Sequence, residues 1–215
     1  MNVIDNKMSL KKYNTRTKDK SQQVSRISRT SGFSLVEVLI AVIILAIGLL
    51  GIAGLQVTSK RTSFEALQRV TAVMLAQDIV ERMRANKAQL STYTAAADVT
   101  GTLTAPGTNC TSAACTPAQI VTYDLYQWQQ AIVGAAETKT SGGVTTSTGG
   151  LILPTGCITA GANTGEVTVA IAWRGLTKLS NPGINTCGST STNYHDTGTD
   201  NAFRKVIEVE TFILD

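Results

Sequence analysis

The sequence predicts an α+β fold: one long N-terminal helix, membrane-spanning in its first half, packed on a small antiparallel β-sheet, with a second short helix. Three observations predict it. From Val38 to Ser59 there is no charged residue, a run of 22, and as a helix it would span about 33 Å, roughly the hydrocarbon thickness of a bilayer. The stretch from Lys60 to Lys87 then continues with neither Gly nor Pro. Finally, Val167, Val169, Ile171 and Trp173, and later Ile207, Val209, Thr211 and Ile213, alternate with other residues at the period of a half-buried strand.

The chain has 215 residues, 43% of them hydrophobic but only 5% aromatic, and a formal charge of +4. That charge is unevenly placed. Residues 1–32 carry Lys7, Lys11, Lys12, Arg16, Lys18, Lys20, Arg26 and Arg29 against Asp5 and Asp19, a balance of +6; residues 33–215 carry eleven basic against thirteen acidic side chains, a balance of −2. A basic arm of this kind can bind nucleic acid or anionic lipid by neutralising phosphates. Here it stops abruptly at an apolar run. Positive charge beside an apolar helix fixes that end in the cytoplasm, so the arm reads as a targeting leader. The apolar run is too long for an ordinary secretory signal, and no small-x-small cleavage pattern closes it.

Glu37 makes the apolar segment specific. It lies four residues inside the block that begins at Phe33. A carboxylate at a bilayer centre costs about 2.5–3.5 kcal/mol on insertion scales, so an acid inside a membrane helix marks a function. The first turn of a helix softens that cost, because its unpaired N–H groups and positive dipole end favour an anion.

The string Gly32-Phe33-Ser34-Leu35-Val36-Glu37-Val38-Leu39-Ile40 closely resembles the type III signal peptide of prepilins, and the fold it implies is the type IV pilin fold. The resemblance implies that a membrane aspartyl protease, prepilin peptidase, cuts between Gly32 and Phe33 and methylates the new N-terminus at Phe33. It also implies that the Glu37 carboxylate pairs with the terminal amine of a neighbouring subunit, where an unpaired charge would be expensive. Such a cut removes the basic leader and keeps the apolar helix for assembly. Gly suits the site because a residue without a side chain fits closely into a protease groove. Two features depart from the pattern. A leader of 32 residues is long, although a start at Met8 would shorten it to 25. Gly54 stands where major pilins often carry Pro, and with Gly48 and Gly51 it weakens the helix over residues 48–54 by about 1 kcal/mol per Gly relative to Ala. That stretch would bend or melt on packing into a filament, or else serve small-residue helix packing.

On this reading the chain divides into a basic leader (1–32, removed), a long helix (33–88, transmembrane over 33–57 with a periplasmic continuation) and a globular head (89–215). In the outer helix Leu67, Val70 and Met74 form the expected apolar stripe, with Phe64, Leu75 and Ile79 elsewhere on the wheel. Residues 91–118 read as loop, with Pro106 and Pro117. A second helix is expected over 118–133, with Leu125, Trp128 and Ile132 on one face, and a flexible turn region over 141–150. Strands are expected at Leu151–Leu153 and in the two alternating runs, joined by Gly/Asn turns, with one face of the sheet on the helix. ERMRAN, a Cys-containing loop, YDLYQW and a VxVxW strand, with IGLLGIAGLQ in the anchor, resemble the type IV pilus modification protein PilV group of minor pilins.

All four cysteines, Cys110, Cys115, Cys157 and Cys187, fall in the part that this topology places outside the cytoplasm, where disulfides form. Of three possible connectivities, Cys110–Cys115 with Cys157–Cys187 joins near neighbours, and the second bridge would add ~3 kcal/mol by loop entropy. A zinc site is the rival, without a CxxC pair and with His195 as the only histidine. Asp196, Asp200 and Asn201 are candidate oxygen ligands for Ca²⁺, but EF-hand spacing is absent. There is no GxSxG elbow and no phosphate-binding glycine loop. No catalytic residue, metal or cofactor is therefore expected.

The expected function is that of a minor pilin acting in type IV pilus assembly and initiation, hence in adhesion and twitching motility. Its expected partners are prepilin peptidase, other minor and major pilins, the inner membrane and the pilus assembly machinery. Its expected location is the inner membrane, single pass with the N-terminus cytoplasmic, and then the extracellular pilus. The rival readings are a minor pseudopilin of a type II secretion system, a pilus-tip adhesin or DNA-uptake subunit, and an enzyme on an uncleaved anchor. The balance of −2 over residues 33–215 argues against nucleic acid as a partner.

Overall fold

The structure, a computed structural model, describes residues 32–214 apart from Thr102, Ile184 and Thr199. The expected leader up to Ser31, and its alternative start at Met8, lie outside the described residues. The chain divides into two units, Met1–Gly48 and Leu49–Asp215.

Helix α1 spans Leu35–Ala85, so residues 35–48 fall in the first unit and 49–85 in the second. It is helical through Gly48, Gly51 and Gly54. It ends three residues before the expected Ala88. At Asn86 the backbone leaves helical geometry (φ −127°, ψ 45°), and the Asn86 side chain donates to Pro117 O at 2.8 Å. A single 3₁₀ turn, Lys87–Gln89, follows.

In the second unit, the span expected to be loop holds α2 (Leu90–Thr94) and β1 (Val99–Thr100). Next come α3 (Pro117–Ile132), β2 (Thr138–Ser141), β3 (Val144–Ser147), β4 (Thr155–Ala160), β5 (Glu166–Arg174) and β6 (Arg204–Phe212). Helix α3 lies one residue earlier than the expected 118–133. Pro117 opens it, and the Thr116 hydroxyl and Gln119 side chain cap each other's backbone N–H groups. The main sheet is antiparallel in the order β1-β4-β5-β6, with Val169 opposite Val209 and Ile171 opposite Ile207. Strands β2 and β3 form a separate hairpin where a flexible turn region was expected. Gly142 and Gly143 turn it with φ +59° and +80°, the left-handed pair that a tight hairpin demands.

The core reverses one expectation. Leu67, Val70 and Met74 are exposed at 60%, 51% and 64%. The face of α1 that meets the sheet carries Gln68, Ala72, Ala76, Ile79, Val80 and Met83. These follow the helical period, but two are alanines and one is polar, so the largest side chains mark the wrong face. Small side chains let the sheet approach the helix. Gln68 replaces packing with bonding: its Nε2 donates to Gly150 O at 3.1 Å, and its Oε1 accepts from Ile152 N at 3.1 Å. That bond helps explain why Leu151–Leu153 is not a strand. Leu151 N donates to Ile132 O at 2.9 Å, so this backbone is spent on α1 and α3.

Trp128 of α3 completes the core. It is fully buried, and its Nε1 donates to Leu75 O of α1 at 2.8 Å. Gly156 of β4 makes room for its ring: a Cβ there would lie 2.6 Å from Trp128 Cη2 and 3.1 Å from Ile132 Cδ1. Gly156→Ala is therefore expected to lower the unfolding free energy by about 1–3 kcal/mol, the usual cost of overpacking, as measured by denaturant titration.

The far face of the sheet is also covered. Residues 175–203 cross it, closing a second cluster of Cys157, Ala170, Ala172, Cys187 and Tyr194. The Tyr194 hydroxyl bonds Thr155 Oγ1 at 3.0 Å and Leu153 O at 2.9 Å. The start of this strap is tied to α1 by Glu65, whose Oε1 accepts from Leu176 N, Thr177 N and Thr177 Oγ1 at 3.1, 2.8 and 2.7 Å. Burial pushes the Glu65 carboxyl up. The Thr177 hydroxyl and amide, the Lys205 charge and the Leu176 amide outweigh it and hold the group below its ordinary 4.5. A carboxyl lowered in the folded state stabilises fully above its unfolded value, and that stability is lost as pH falls through the lower folded value. Glu65→Gln is thus expected to be less stable than the parent near about pH 7 and to match it in acid. Thermal unfolding across pH reads the difference.

Candidate functional site

The N-terminal segment and the first turn of α1 hold the expected processing and assembly residues. Gly32, Phe33 and Ser34 precede the helix. Ser34 O accepts from Val38 N at 3.2 Å, which makes Ser34 the boundary residue, and Glu37 sits in the first turn. Its carboxylate lies at the end of the helix where unpaired N–H groups concentrate positive charge. Glu37 makes no ion pair among the described residues. A Cβ on Gly32 would meet nothing within 4 Å, and Phe33 is 82% exposed. Phe33, Glu37, Ala41 and Leu45, at helical spacing, line one shallow groove.

No residue from Leu35 to Leu67 is buried, although the span carries Val38, Leu39, Ile40, Ile43, Leu45, Leu50 and Leu55 in the open. Helix α1 is long and apolar enough to cross a membrane. Such a surface is unstable in water, so it belongs in lipid or against other protein.

The cysteines form two disulfides, Cys110–Cys115 and Cys157–Cys187, with Cα atoms 5.5 and 5.8 Å apart. The first closes the loop before α3. The second pins the strap to β4 beneath the sheet's covered face. The polar candidates of the strap serve its own shape. Asp200 accepts from Asp196 N at 2.9 Å and Ala202 N at 3.2 Å, Asp196 pairs with Lys178, and Asn201 Nδ2 donates to Ser189 O at 2.7 Å. His195, which precedes Asp196 in the chain, is half-buried. Among the described residues no group of three or more His, Cys, Asp or Glu side chains could hold a metal ion.

Sequence reasoning missed the polar joints that hold α1 to the head. Arg82 bridges Asp78 (2.9 Å), Asp124 (3.0 Å) and Gln127 (2.7 Å), and the buried Tyr93 hydroxyl meets Asp124 at 2.5 Å. Burial and the Asp124 carboxylate push the Tyr93 hydroxyl far above its ordinary value. It stays a donor at any working pH. The available signal was Asp124 itself, an acid set among the apolar residues of a helix face.

Comparison with known families gives two adjoining matches. Residues 27–53 match the prokaryotic N-terminal methylation motif, and residues 54–126 match the Tt1218-like family, described as type IV pilin Tt1218. No curated protein and no solved structure matches the chain. Gly32, Phe33 and Glu37 lie within the first match. The outer part of α1, α2, β1 and most of α3 lie within the second. A long N-terminal helix packed on a small antiparallel sheet is the α+β fold of type IV pilins. From residue 27 to residue 126, the chain is similar first to the N-terminal methylation motif and then, without a gap, to a type IV pilin family.

Proposed function

We propose that the protein is a minor pilin of a type IV pilus, PilV-like, that acts in pilus assembly and initiation and so in adhesion and twitching motility. Prepilin peptidase cuts between Gly32 and Phe33, removing the leader 1–32 and methylating Phe33. Residues 33–57 cross the inner membrane once, the helix continues into the periplasm, and residues 89–215 form the head. Glu37 then pairs with the terminal amine of a neighbouring pilin. The observation that carries this reading is a carboxylate without an ion-pair partner among the described residues, in the first turn of a helix whose next 22 residues, 38–59, are uncharged and unburied. A helix that served only as an anchor would gain nothing from it. An amine supplied by a second subunit neutralises it in a water-poor filament core, where one unpaired charge costs several kcal/mol.

Intact mass of the protein in sheared filaments tests the reading. The expected species begins at Phe33 with one added methyl group. Glu37→Ala is expected to give the same mature species in the membrane but strongly reduced amounts in the filaments. A filament-borne chain that keeps residues 1–32, or undiminished incorporation of Glu37→Ala, would overturn the respective step.

A further inference from the structure

Within the second unit, α1, the beginning of β6 and the strap surround a cavity of about 420 Å³. Its charged lining is Arg69, Arg204 and Lys205 against Glu65 alone, and Trp173 and Pro182 supply apolar wall. Glu65 is the one carboxylate facing these three cations, and its charge acts on Lys205. Arg204 is 1% exposed, yet its guanidinium donates only to neutral oxygens: Asn181 Oδ1 at 3.1 Å, Cys187 O at 2.5 Å, and Pro182 O and Asn185 O at 2.6 Å each. Lys205 Nζ is buried without a hydrogen-bond partner. Arg69 forms no ion pair among the described residues. Glu65 is already committed through Oε1 to the strap.

Burying a cation is costly unless an anion accompanies it. Burial lowers both the Arg204 and Lys205 groups from their ordinary values, and at Lys205 it outweighs the opposing pull of the Glu65 charge. We propose that the cavity is a binding site for a small organic monocarboxylate, its carboxylate held by Arg69 and the Lys205 ammonium and its apolar body against Trp173 and Pro182. The Lys205 ammonium, on a flexible four-carbon stem, turns to meet the ligand. A monoanion fits better than a dianion such as sulfate. The Glu65 carboxylate opposes a second negative charge, and the Arg204 N–H groups are already used on neutral oxygens, which leaves Arg69 as the one open guanidinium. This site is separate from the N-terminal segment and does not depend on the processing proposed above.

Isothermal titration of benzoate into the full-length chain in detergent micelles tests it, with sulfate as the comparison anion. The expected result is saturable one-site binding of benzoate, with sulfate weaker. Lys205→Met and Arg69→Met are each expected to weaken benzoate by roughly tenfold or more, the scale of one lost charge-assisted hydrogen bond. Lys139→Met, on the exposed β2–β3 hairpin, is expected to bind like the parent. Arg69 lies on an exposed position of α1, so its variant keeps the test decisive even where Lys205→Met fails to fold. Absence of saturable binding, or parental affinity in Arg69→Met, overturns the site. Sulfate binding as tightly as benzoate overturns the monocarboxylate assignment.

Discussion

Gly32→Leu is expected to leave the chain at its full 215 residues in cells that carry prepilin peptidase, with no detectable mature species. The effect is close to all-or-none, because an extended substrate segment must lie flat in a protease groove, and a branched side chain at the scissile residue keeps the carbonyl away from the catalytic carboxylates. The substitution has no structural consequence that could imitate this result. Gly32 precedes α1, and among the described residues beyond its chain neighbour a Cβ there meets no atom within 4 Å. Helix content by circular dichroism should therefore equal the parent's, while intact mass separates precursor from product. Normal trimming of Gly32→Leu would move the cut away from Gly32/Phe33. It would also remove the reason for placing a terminal amine near Glu37.

The N-terminal motif that residues 27–53 match was legible because it is written in consecutive residues. A basic run, Gly32, Phe33 and a single acid inside an apolar block need no tertiary contact to be read. The strands β5 and β6 were legible for a similar reason, since Val167, Val169 and Ile171, and Ile207 and Val209, keep the strand period that one buried face imposes. The buried face of outer α1 was not. Its helical period is carried by Ala72 and Ala76, too small to stand out, and by Gln68, whose use depends on the backbone of residues 150–152. The larger Leu67, Val70 and Met74 drew the prediction to the exposed side. The strap was hidden for another reason. The strap between β5 and β6 covers the sheet through Tyr194 and the Cys157–Cys187 bridge, and among its described residues the one regular element is the 3₁₀ turn Thr192–Tyr194, so neither period appears in it.

Trp128→Ala should cost about 3–5 kcal/mol of unfolding free energy, the range for truncating a fully buried large aromatic, against the 5–15 kcal/mol typical of a folded domain. Two contributions combine. The ring is wholly buried among α1, α3 and the sheet, and its loss leaves a cavity that the Gln68 and Arg82 joints keep from collapsing. The indole N–H also leaves Leu75 O, which it reaches at 2.8 Å. Trp128→Phe removes that bond and part of the ring, so it should cost less, about 1–3 kcal/mol. Denaturant titration of the full-length chain in detergent orders the three proteins, and equal losses in the Ala and Phe variants would show that the hydrogen bond, not the ring, carries the effect. Gly156 provides the sharper discriminator. Gly156→Ala destabilises the parent because the new methyl meets the Trp128 ring. In the Trp128→Ala background the methyl enters the vacated space instead, so the double variant should be more stable than the sum of the two single losses requires. A coupling of about 0.5–3 kcal/mol of that sign is what direct contact between the two positions produces. Strict additivity would mean that ring and strand do not press on each other, and that Gly156 is Gly for some reason other than Trp128.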